Sequence, residues 1–378
     1  MAELNETPKA NRIHIAFFGL RNAGKSTLVN AFAGQDVAIV SDVAGTTTDP
    51  VSKAMEILPL GPCLLTDTAG LDDVGELGEL RVKKAFAVLV TTDVAVWVRG
   101  PHSEKDAEAD AHGRFIDECR RHGVTVLEYR RGDDVEEFRR KVAAVRVVES
   151  TKPLVSDLVG KGDVVLLICP QDGSAPKGRL ILPQQQVIRE ILDAGGVAQI
   201  CQPDALHGLF GGDSEPRFKF AVTDSQAFGA VNAALPKNIP LTSFSILFAR
   251  AKGDLAIYSE GLSALKSLCD GDTVLVAEGC THHRQCGDIG TVKLPKAVAK
   301  LTGRKLDFRF CSGGDFPFDT FRPDLVIHCG GCMLTRREMQ RRISAARDAG
   351  VPITNYGLVL AAANGIEADP STCMVCRG

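Results

Sequence analysis

No stretch of the chain is apolar for long enough to cross a bilayer. The longest runs, such as "VVLLIC" at 164–169, are of strand length, against the roughly 20 residues of a membrane helix. Charge of one sign is lacking as well: 44 Lys and Arg stand against 47 Asp and Glu, for a formal net charge of −3. There is no basic, aromatic-studded patch of the kind that binds nucleic acid. Neither a fixed-period repeat nor a low-complexity tract is present, and the polar start "MAELNETPKANR" has no apolar leader core. These absences predict a cytoplasmic protein with neither a membrane nor a nucleic-acid partner. The twelve cysteines are scattered rather than framed like a small secreted domain, so they read as free thiols. Cys63, Cys119, Cys169 and Cys201 lie in or beside apolar or helical stretches and read as core residues.

What is present is an alternation of strand and helix signals. "RIHIAFFG", "PCLLTDTAG", "DVAVWVRG", "VTVLEYR" and "AVRVVES" read as strands, with helices such as "GKSTLVNAFAG" and "DAEADAHGRFIDECRRHG" between them. Alternation of this kind predicts an α/β fold, a parallel sheet covered by helices on both faces. Lys152-Pro153 then punctuates the chain. "DVVLLICP", "VAQIC" and "KFAVTDSQAFGAV" carry a second α/β stretch, and "TVLVAEG", "LDFRF", "DLVIH" and "VPITNY" supply the strands of a third. We place the domains at 11–150, 151–258 and 259–378.

"GLRNAGKST" at 19–27 fits G-x-x-x-x-G-K-[ST], follows a strand and opens a helix, the context that makes the pattern specific. Gly19 and Gly24 let backbone N–H groups wrap phosphate oxygens, and the helix N-terminus adds a favourable dipole. Lys25 is placed to neutralise the β/γ oxygens and Ser26 to hold Mg²⁺; Asn22, Ala23 and Thr27 complete the nucleotide-contacting stretch. "TDTAG" at 66–70 supplies Asp67 for the metal side and the Gly70 N–H for the γ-phosphate. "AGTTTDP" at 44–50 supplies a Thr cluster, Thr46 to Thr48. Of these Thr47 is taken as the Mg²⁺ ligand and, with Lys25, as a catalytic residue.

"NAGKSTLVNAF" and "AGTTTD" make residues 11–150 resemble GTPases of the Era/TrmE branch. The resemblance implies that Asn22 binds an activating K⁺ ion. Leu71 stands after "DTAG", where many GTPases place a water-orienting Gln, so intrinsic hydrolysis is expected to be slow. One departure stands out: the N-K-x-D guanine reader is missing, and "RRGDD" follows the strand "VTVLEY". Asp133 is the candidate acceptor for the guanine N1 and N2 hydrogens. The alternative is that Asp133 and Asp134 form a helix N-cap.

The far end carries a second chemistry. "HCGGC" at 328–332 follows the strand "DLVIH" and precedes a helix, and "EGCTHHRQC" at 278–286 follows the strand "TVLVA". The carboxyl ends of neighbouring parallel strands line one crevice, so Cys280 can approach Cys329 and Cys332. The helix that follows is expected to favour thiolate there. Three thiolates with His282, His283 and His328 nearby permit a Cys₃His zinc site or an iron–sulfur cube on three Cys with one open iron. A dithiol redox pair and inert thiols remain as further readings. "CMVC" at 373–376 reads as incidental in a frayed tail, Cys286 as an alternative ligand, and "RREMQRR" at 336–342 as a solvated helix face.

"CTH" followed by a distant "HCGGC" matches C-x-H…H-C-x-x-C. Together with "APKGRLILPQ", "VTDSQAF", "PLTSFSILFARAKGDL" and "GVPITNYG", it makes nearly the whole chain resemble the FeFe-hydrogenase maturation GTPases (HydF). That resemblance implies a GTPase domain, a dimerisation domain and a cluster-binding domain in a homodimer. It also implies a 4Fe-4S cluster on Cys280, Cys329 and Cys332, with His282 as candidate fourth ligand and His328 or water as its rivals. Such a protein carries a di-iron precursor with CO, cyanide and a dithiolate bridge from radical-SAM maturases to apo FeFe-hydrogenase. The rival from a different class is a potassium-dependent GTPase acting on RNA with a structural metal; the near-neutral charge speaks against it.

Overall fold

The computed structural model describes residues 9–34, 51–73, 75–100, 105–145, 152–171, 180–210, 218–280, 288–318 and 320–376. The chain divides into two compact units, Met1–Ser150 and Thr151–Gly378.

In the first unit, strands β1 (Ile13–Phe18), β2 (Val51–Ile57), β3 (Gly61–Asp67), β4 (Val94–Arg99) and β5 (Thr125–Arg130) form one sheet in the order β2-β3-β1-β4-β5. All neighbours are parallel except β2, which runs antiparallel to β3. Helices α1 (Lys25–Ala33), α2 (Glu76–Leu89) and α3 (Lys105–Arg121) lie between strands, and α4 (Val135–Ala143) follows β5. β1 and β4 are buried almost throughout, as strands covered on both faces must be. Phe17, Val29 and Phe138 lie in the core of one face, and Phe18, Leu89 and Phe115 in that of the other. Sequence periodicity did not reveal β2. Its "VSKAMEI" is half exposed at a sheet edge, with too few apolar positions to stand out. The expected strand "AVRVVES" falls at its start on residues without strand structure and otherwise lies outside the described residues.

The second unit contains two sheets. Strands β6 (Val164–Ile168), β7 (Val197–Cys201), β8 (Phe218–Thr223) and β9 (Leu241–Ser243) are joined through α5 (Leu182–Asp193), α6 (Leu206–Leu209) and α7 (Phe228–Ala234). After α8 (Phe244–Lys252) and α9 (Leu255–Leu265) come β10 (Thr273–Glu278), α10 (Leu294–Thr302), β11 (Asp307–Ser312), β12 (Leu325–His328), α11 (Arg336–Asp348), β13 (Ile353–Asn355) and α12 (Tyr356–Ala363). Strands β10 to β13 form a wholly parallel sheet in the order β11-β10-β12-β13. The chain then returns: β14 (Glu367–Ala368) and β15 (Val375–Cys376) join the other sheet, whose order is β14-β15-β9-β8-β6-β7. The tail read as frayed is therefore tied in antiparallel against Leu241, and Cys373 is buried.

One continuous core includes Leu166 and Val222 of the first of these sheets, Phe248 of α8, and Ala277 and Val326 of the second. Helix α8 is apolar nearly all round, with seven of its nine residues buried, the pattern of a helix enclosed by the core. Ser243 caps its start, accepting from the Ile246 N–H at 3.2 Å. Its last residue, Lys252, thereby enters the interior of the unit. Among the described residues no helix is long and apolar enough to cross a membrane.

Candidate nucleotide site and metal centre

The phosphate loop runs from the end of β1 into α1. Gly19 takes φ 148°, and a Cβ there would lie 2.5 Å from the Val98 carbonyl oxygen, so the loop passes β4 at a distance only glycine allows. Gly24 stands at the helix start with φ 98° and Asn22 is left-handed with φ 57°, a conformation Asn tolerates better than most residues. Ala23 is buried beneath the loop, while Asn22 and Thr27 are exposed. The Lys25 ammonium is buried and donates to the carbonyls of Gly19 (3.3 Å) and Leu20 (2.8 Å). Burial lowers its pKa, against the pull of Asp67, Asp72 and Asp73.

Asp67 ends β3 beside this loop. Its Oδ2 accepts from Ser26 Oγ at 2.6 Å, whereas its buried Oδ1 has no hydrogen-bond partner. Burial raises the Asp67 pKa, opposed by Ser26 and Lys25. An orphaned carboxylate oxygen beside a serine hydroxyl and the loop helix is a donor set that fits a hard, oxygen-seeking cation such as Mg²⁺. Gly70 and Leu71 follow on the same path: the Leu71 N–H donates to the Gly19 carbonyl at 3.2 Å. The Leu71 side chain lies in the core with Phe18 and Leu89, so it is a packing residue.

The turn after β5 also reaches the loop. A Cβ on Gly24 would lie 3.5 Å from Arg131 Cδ. Asp133 is exposed, its Oδ2 accepting from the Arg130 N–H at 3.0 Å. The N-cap of α4 is Asp134 alone, which accepts from the Glu137 N–H at 2.7 Å. Asp134 thus takes the N-cap, and Asp133 lies in the turn that follows β5. Thr46, Thr47 and Thr48 lie outside the described residues.

At the other end, β10 and β12 are parallel neighbours with Ala277 opposite His328. Their carboxyl ends therefore deliver Cys280 and Cys329 side by side. The Gly279 N–H donates to Cys329 Sγ at 3.1 Å and the Gly331 N–H to the same sulfur at 3.4 Å. Gly331, with φ 68°, makes the turn that brings Cys332 back. The three thiols feel one another. Burial first, then Cys329 and Cys332, raise the Cys280 pKa, and burial followed by Cys332 pushes Cys329 up to about 11. Burial raises Cys332 also, with Lys252 opposing.

This corrects the expected helix-dipole effect. Helix α11 begins only at Arg336, with Thr335 as its cap, and desolvation outweighs the two N–H groups on Cys329. All three cysteines are only partly buried, and their raised pKa values favour the thiol over the thiolate that a redox dithiol uses. The trio suits a thiolate cage once a cation supplies the missing positive charge. Among the described residues no three His, Cys, Asp or Glu side chains are close enough to hold a single ion. An iron–sulfur cube makes a different demand, since it spreads its thiolates over separate irons.

His328 has partners within the protein for both ring nitrogens. It is fully buried, and its ring nitrogens lie 2.8 Å from the Cys329 carbonyl and 3.0 Å from Arg342 Nη1. Arg342 can only donate, so Nε2 accepts and Nδ1 carries the proton toward the carbonyl. Burial, then the Arg342 charge, lower its pKa to about 4, which keeps the ring neutral. His282, His283 and Cys286 lie outside the described residues.

The stretch "RREMQRR" is not a solvated face throughout. Glu338, Met339 and Arg342 are buried. Arg342 Nε donates to Glu338 Oε1 at 2.7 Å, Arg342 Nη2 donates to the Gly313 carbonyl, and the guanidinium stacks 5.1 Å from the Phe316 ring. Three supports beneath the trio went unnoticed in sequence. Besides Arg342 they are Asn355, whose Nδ2 donates to the His328 carbonyl at 3.2 Å, and Lys252, whose ammonium reaches the loop itself. The one available signal for Lys252 was a lysine closing a largely apolar helix.

Comparison with known proteins assigns these parts. Residues 14–127 match a family described as a 50S ribosome-binding GTPase, 154–253 the hydrogen maturase F dimerisation domain, and 256–368 the hydrogen maturase F tetramerisation domain. Similar curated proteins include the tRNA modification GTPase MnmE of Xanthomonas euvesicatoria, 44% identical over 103 residues, covering 26% of this chain and 23% of that protein. The MnmE of Endomicrobium trichonymphae is 37% identical over 99 residues, covering 25% and 21%. The chain thus spans less than a quarter of the length of either relative. Among solved structures, an Era complex with MgGDPNP and 16S ribosomal RNA nucleotides has a TM-score of 0.26 and 18% identity, covering 50% of this chain and 90% of that one. A point variant of Aquifex aeolicus Era bound to GDP and AlF₄⁻ has a TM-score of 0.28 and 14% identity, covering 79% and 92%; both scores are too low to bear on function. The N-terminal unit is a GTPase domain, with which GTP and Mg²⁺ belong, and the domains after it are oligomerisation domains. The chain belongs to the hydrogen maturase F family, with a GTPase domain ahead of that family's dimerisation and tetramerisation domains.

Proposed function

We propose that this protein is a GTP-switched scaffold that holds a 4Fe-4S cluster on Cys280, Cys329 and Cys332. It carries the di-iron precursor of the hydrogenase active site from radical-SAM maturases to apo FeFe-hydrogenase, and it works as a homodimer. The observation that supports this most is the meeting of three partly buried thiols at the carboxyl ends of two adjacent strands, in a chain of the hydrogenase-maturation family. When bound, the cluster supplies an iron site to which cargo attaches. The chain's own part is to keep three sulfurs apart at fixed positions, exclude water from them and leave the fourth position to an exchangeable ligand, for which His282 is the candidate. In domain terms, 11–150 is the switch, 151–258 the dimerisation domain and 259–378 the cluster domain.

In the switch, Lys25 leaves the carbonyls of Gly19 and Leu20 for the phosphates, while Ser26, Asp67 and Thr47 would hold Mg²⁺, which neutralises phosphate charge. Asn22, exposed at the loop crest, is the K⁺ ligand, and Asp133 the guanine acceptor. Hydrolysis is expected to run faster in K⁺ than in Na⁺; equal rates would remove the potassium assignment. The cluster is tested by anaerobic reconstitution with iron and sulfide followed by EPR. Wild type should give a reducible cluster and Cys280→Ala a depleted or altered signal. A zinc-replete protein that takes up no iron would overturn the assignment.

A further inference from the structure

Lys252 is the last residue of α8, and its ammonium is buried directly beneath the Cys329–Leu334 loop. It donates to three carbonyls of that loop, Gly331 at 3.0 Å, Cys332 at 3.1 Å and Leu334 at 2.6 Å. The Phe248 ring lies 5.2 Å below it. The helix end is itself held: Arg336 Nη1 donates to the Ala251 carbonyl at 2.8 Å and Gln340 Nε2 to the Lys252 carbonyl at 2.9 Å. Among the described residues no carboxylate pairs with this ammonium. The anionic groups it would face are the thiolates of Cys332 and Cys329.

A buried cation with no counter-anion among the described residues is an expensive arrangement. Three carbonyl dipoles compensate it only in part. The deficit closes when the thiols above become thiolates bound to an anionic metal cluster, since the cluster's net charge is negative and grows on reduction. Hydrogen bonds and nearby charge are the levers that set the potentials of such clusters.

We propose that Lys252 is a positioning residue and built-in counter-charge for the cluster: it pins the 331–334 carbonyls so that Cys332 keeps its place, and it favours the one-electron-reduced state. This rests on the cluster reading above. The reduction involved takes one electron from an external donor, dithionite in the test, and makes or breaks no bond in the protein.

The experiment compares wild type, Lys252→Met, Lys252→Gln and Lys252→Arg after anaerobic reconstitution with iron and sulfide. Two quantities are read: iron release to a chelator, and the midpoint potential from an EPR-monitored dithionite titration. Lys252→Met should release iron about 10-fold faster or more and titrate at a more negative potential. Lys252→Gln, which keeps donors but no charge, should share the shift in potential with less loss of iron. Lys252→Arg should remain near wild type in potential. Circular dichroism checks folding; if Lys252→Met does not fold, the Gln and Arg variants decide. A potential unchanged between the charged and uncharged variants overturns the inference while leaving the cluster intact. A wild type that takes up no iron overturns the cluster reading and this one with it.

Discussion

Replacing Arg342 by Met tests whether the thiol trio rests on a buried ionic strut. Arg342 is fully buried; its loss leaves His328 Nε2 and the Gly313 carbonyl without their donor and takes one cation from Glu338. Removing one partner of a buried pair costs about 3–5 kcal/mol, and each stranded acceptor about 1–3 kcal/mol. Glu338 is partly rescued, because Arg341 holds it through Nε (2.8 Å) and Nη2 (2.9 Å). We therefore expect a loss of about 3 kcal/mol in the metal-free protein. With a urea slope of about 3 kcal/mol/M for a unit of this size, the midpoint falls by about 1 M.

The molecule carries its own control. The single tryptophan, Trp97, lies in β4 of the first unit, so its fluorescence follows that unit while far-UV circular dichroism follows both. The dichroism transition of the second unit should move and the tryptophan transition should not. Arg342→Met combined with Glu338→Leu should be less harmful than Arg342→Met alone, since no carboxylate is then left underpaired. A midpoint shift below about 0.3 M, or equal shifts in both probes, would refute the strut.

Three further outcomes follow from the same geometry. His328 is held neutral at a pKa of about 4 against 6.5 when unfolded, so the unfolded chain binds the extra proton between these values. Its contribution is intact above pH 6.5, drains as pH falls and levels off below about 4, for at most about 3 kcal/mol. Unfolding of metal-free His328→Asn at stepped pH should show a flatter slope in this window, and an unchanged slope would rule the group out. Leu71→Gln, read by GTP turnover and thermal unfolding, should lower stability by about 1–3 kcal/mol without accelerating hydrolysis, because the side chain is in the core; a faster enzyme would contradict the packing. In metal-free protein at about pH 7.5, below the ordinary thiol pKa, peptide mapping of iodoacetamide adducts should find exposed Cys269 labelled early. Cys329, at about 11 against 9.0, should react about 100-fold more slowly than an ordinary thiol; rapid labelling there would restore the dithiol reading.

The parts of the site that depend on one local stretch were legible in the sequence. The phosphate loop needs glycines, a lysine and a hydroxyl at fixed offsets between a strand and a helix, and all of them fall within residues 19–27. The strand ends carrying Cys280 and Cys329 were legible for a similar reason, because a short apolar run that breaks into glycines and polar residues marks where a parallel strand stops. Edge strand β2 was missed because half its side chains face water. Strands β14 and β15 were missed because two-residue pairings leave no periodic trace. "RREMQRR" misled because charge in a helix suggests solvent, whereas Arg342 lies one turn from Glu338 on the inner face and finds its acceptors at 313 and 328.

What the sequence conceals is the sign of the local field, and that sign decides the chemistry. A C-x-x-C before a helix suggests activated thiolates; the fold instead partly buries the cysteines, sets their charges against one another and leaves the helix cap three residues beyond Cys332. Proton binding wins at such a site until something with more positive charge displaces it. The cations already nearby are committed elsewhere: Arg342 to Glu338, His328 and Gly313, and Lys252 to the loop carbonyls. Neither can take a thiol proton's place at sulfur, but both can stabilise the anion formed when a metal does. A site built this way holds its sulfurs as thiols until a metal displaces the proton, which is the behaviour the proposed carrier role requires.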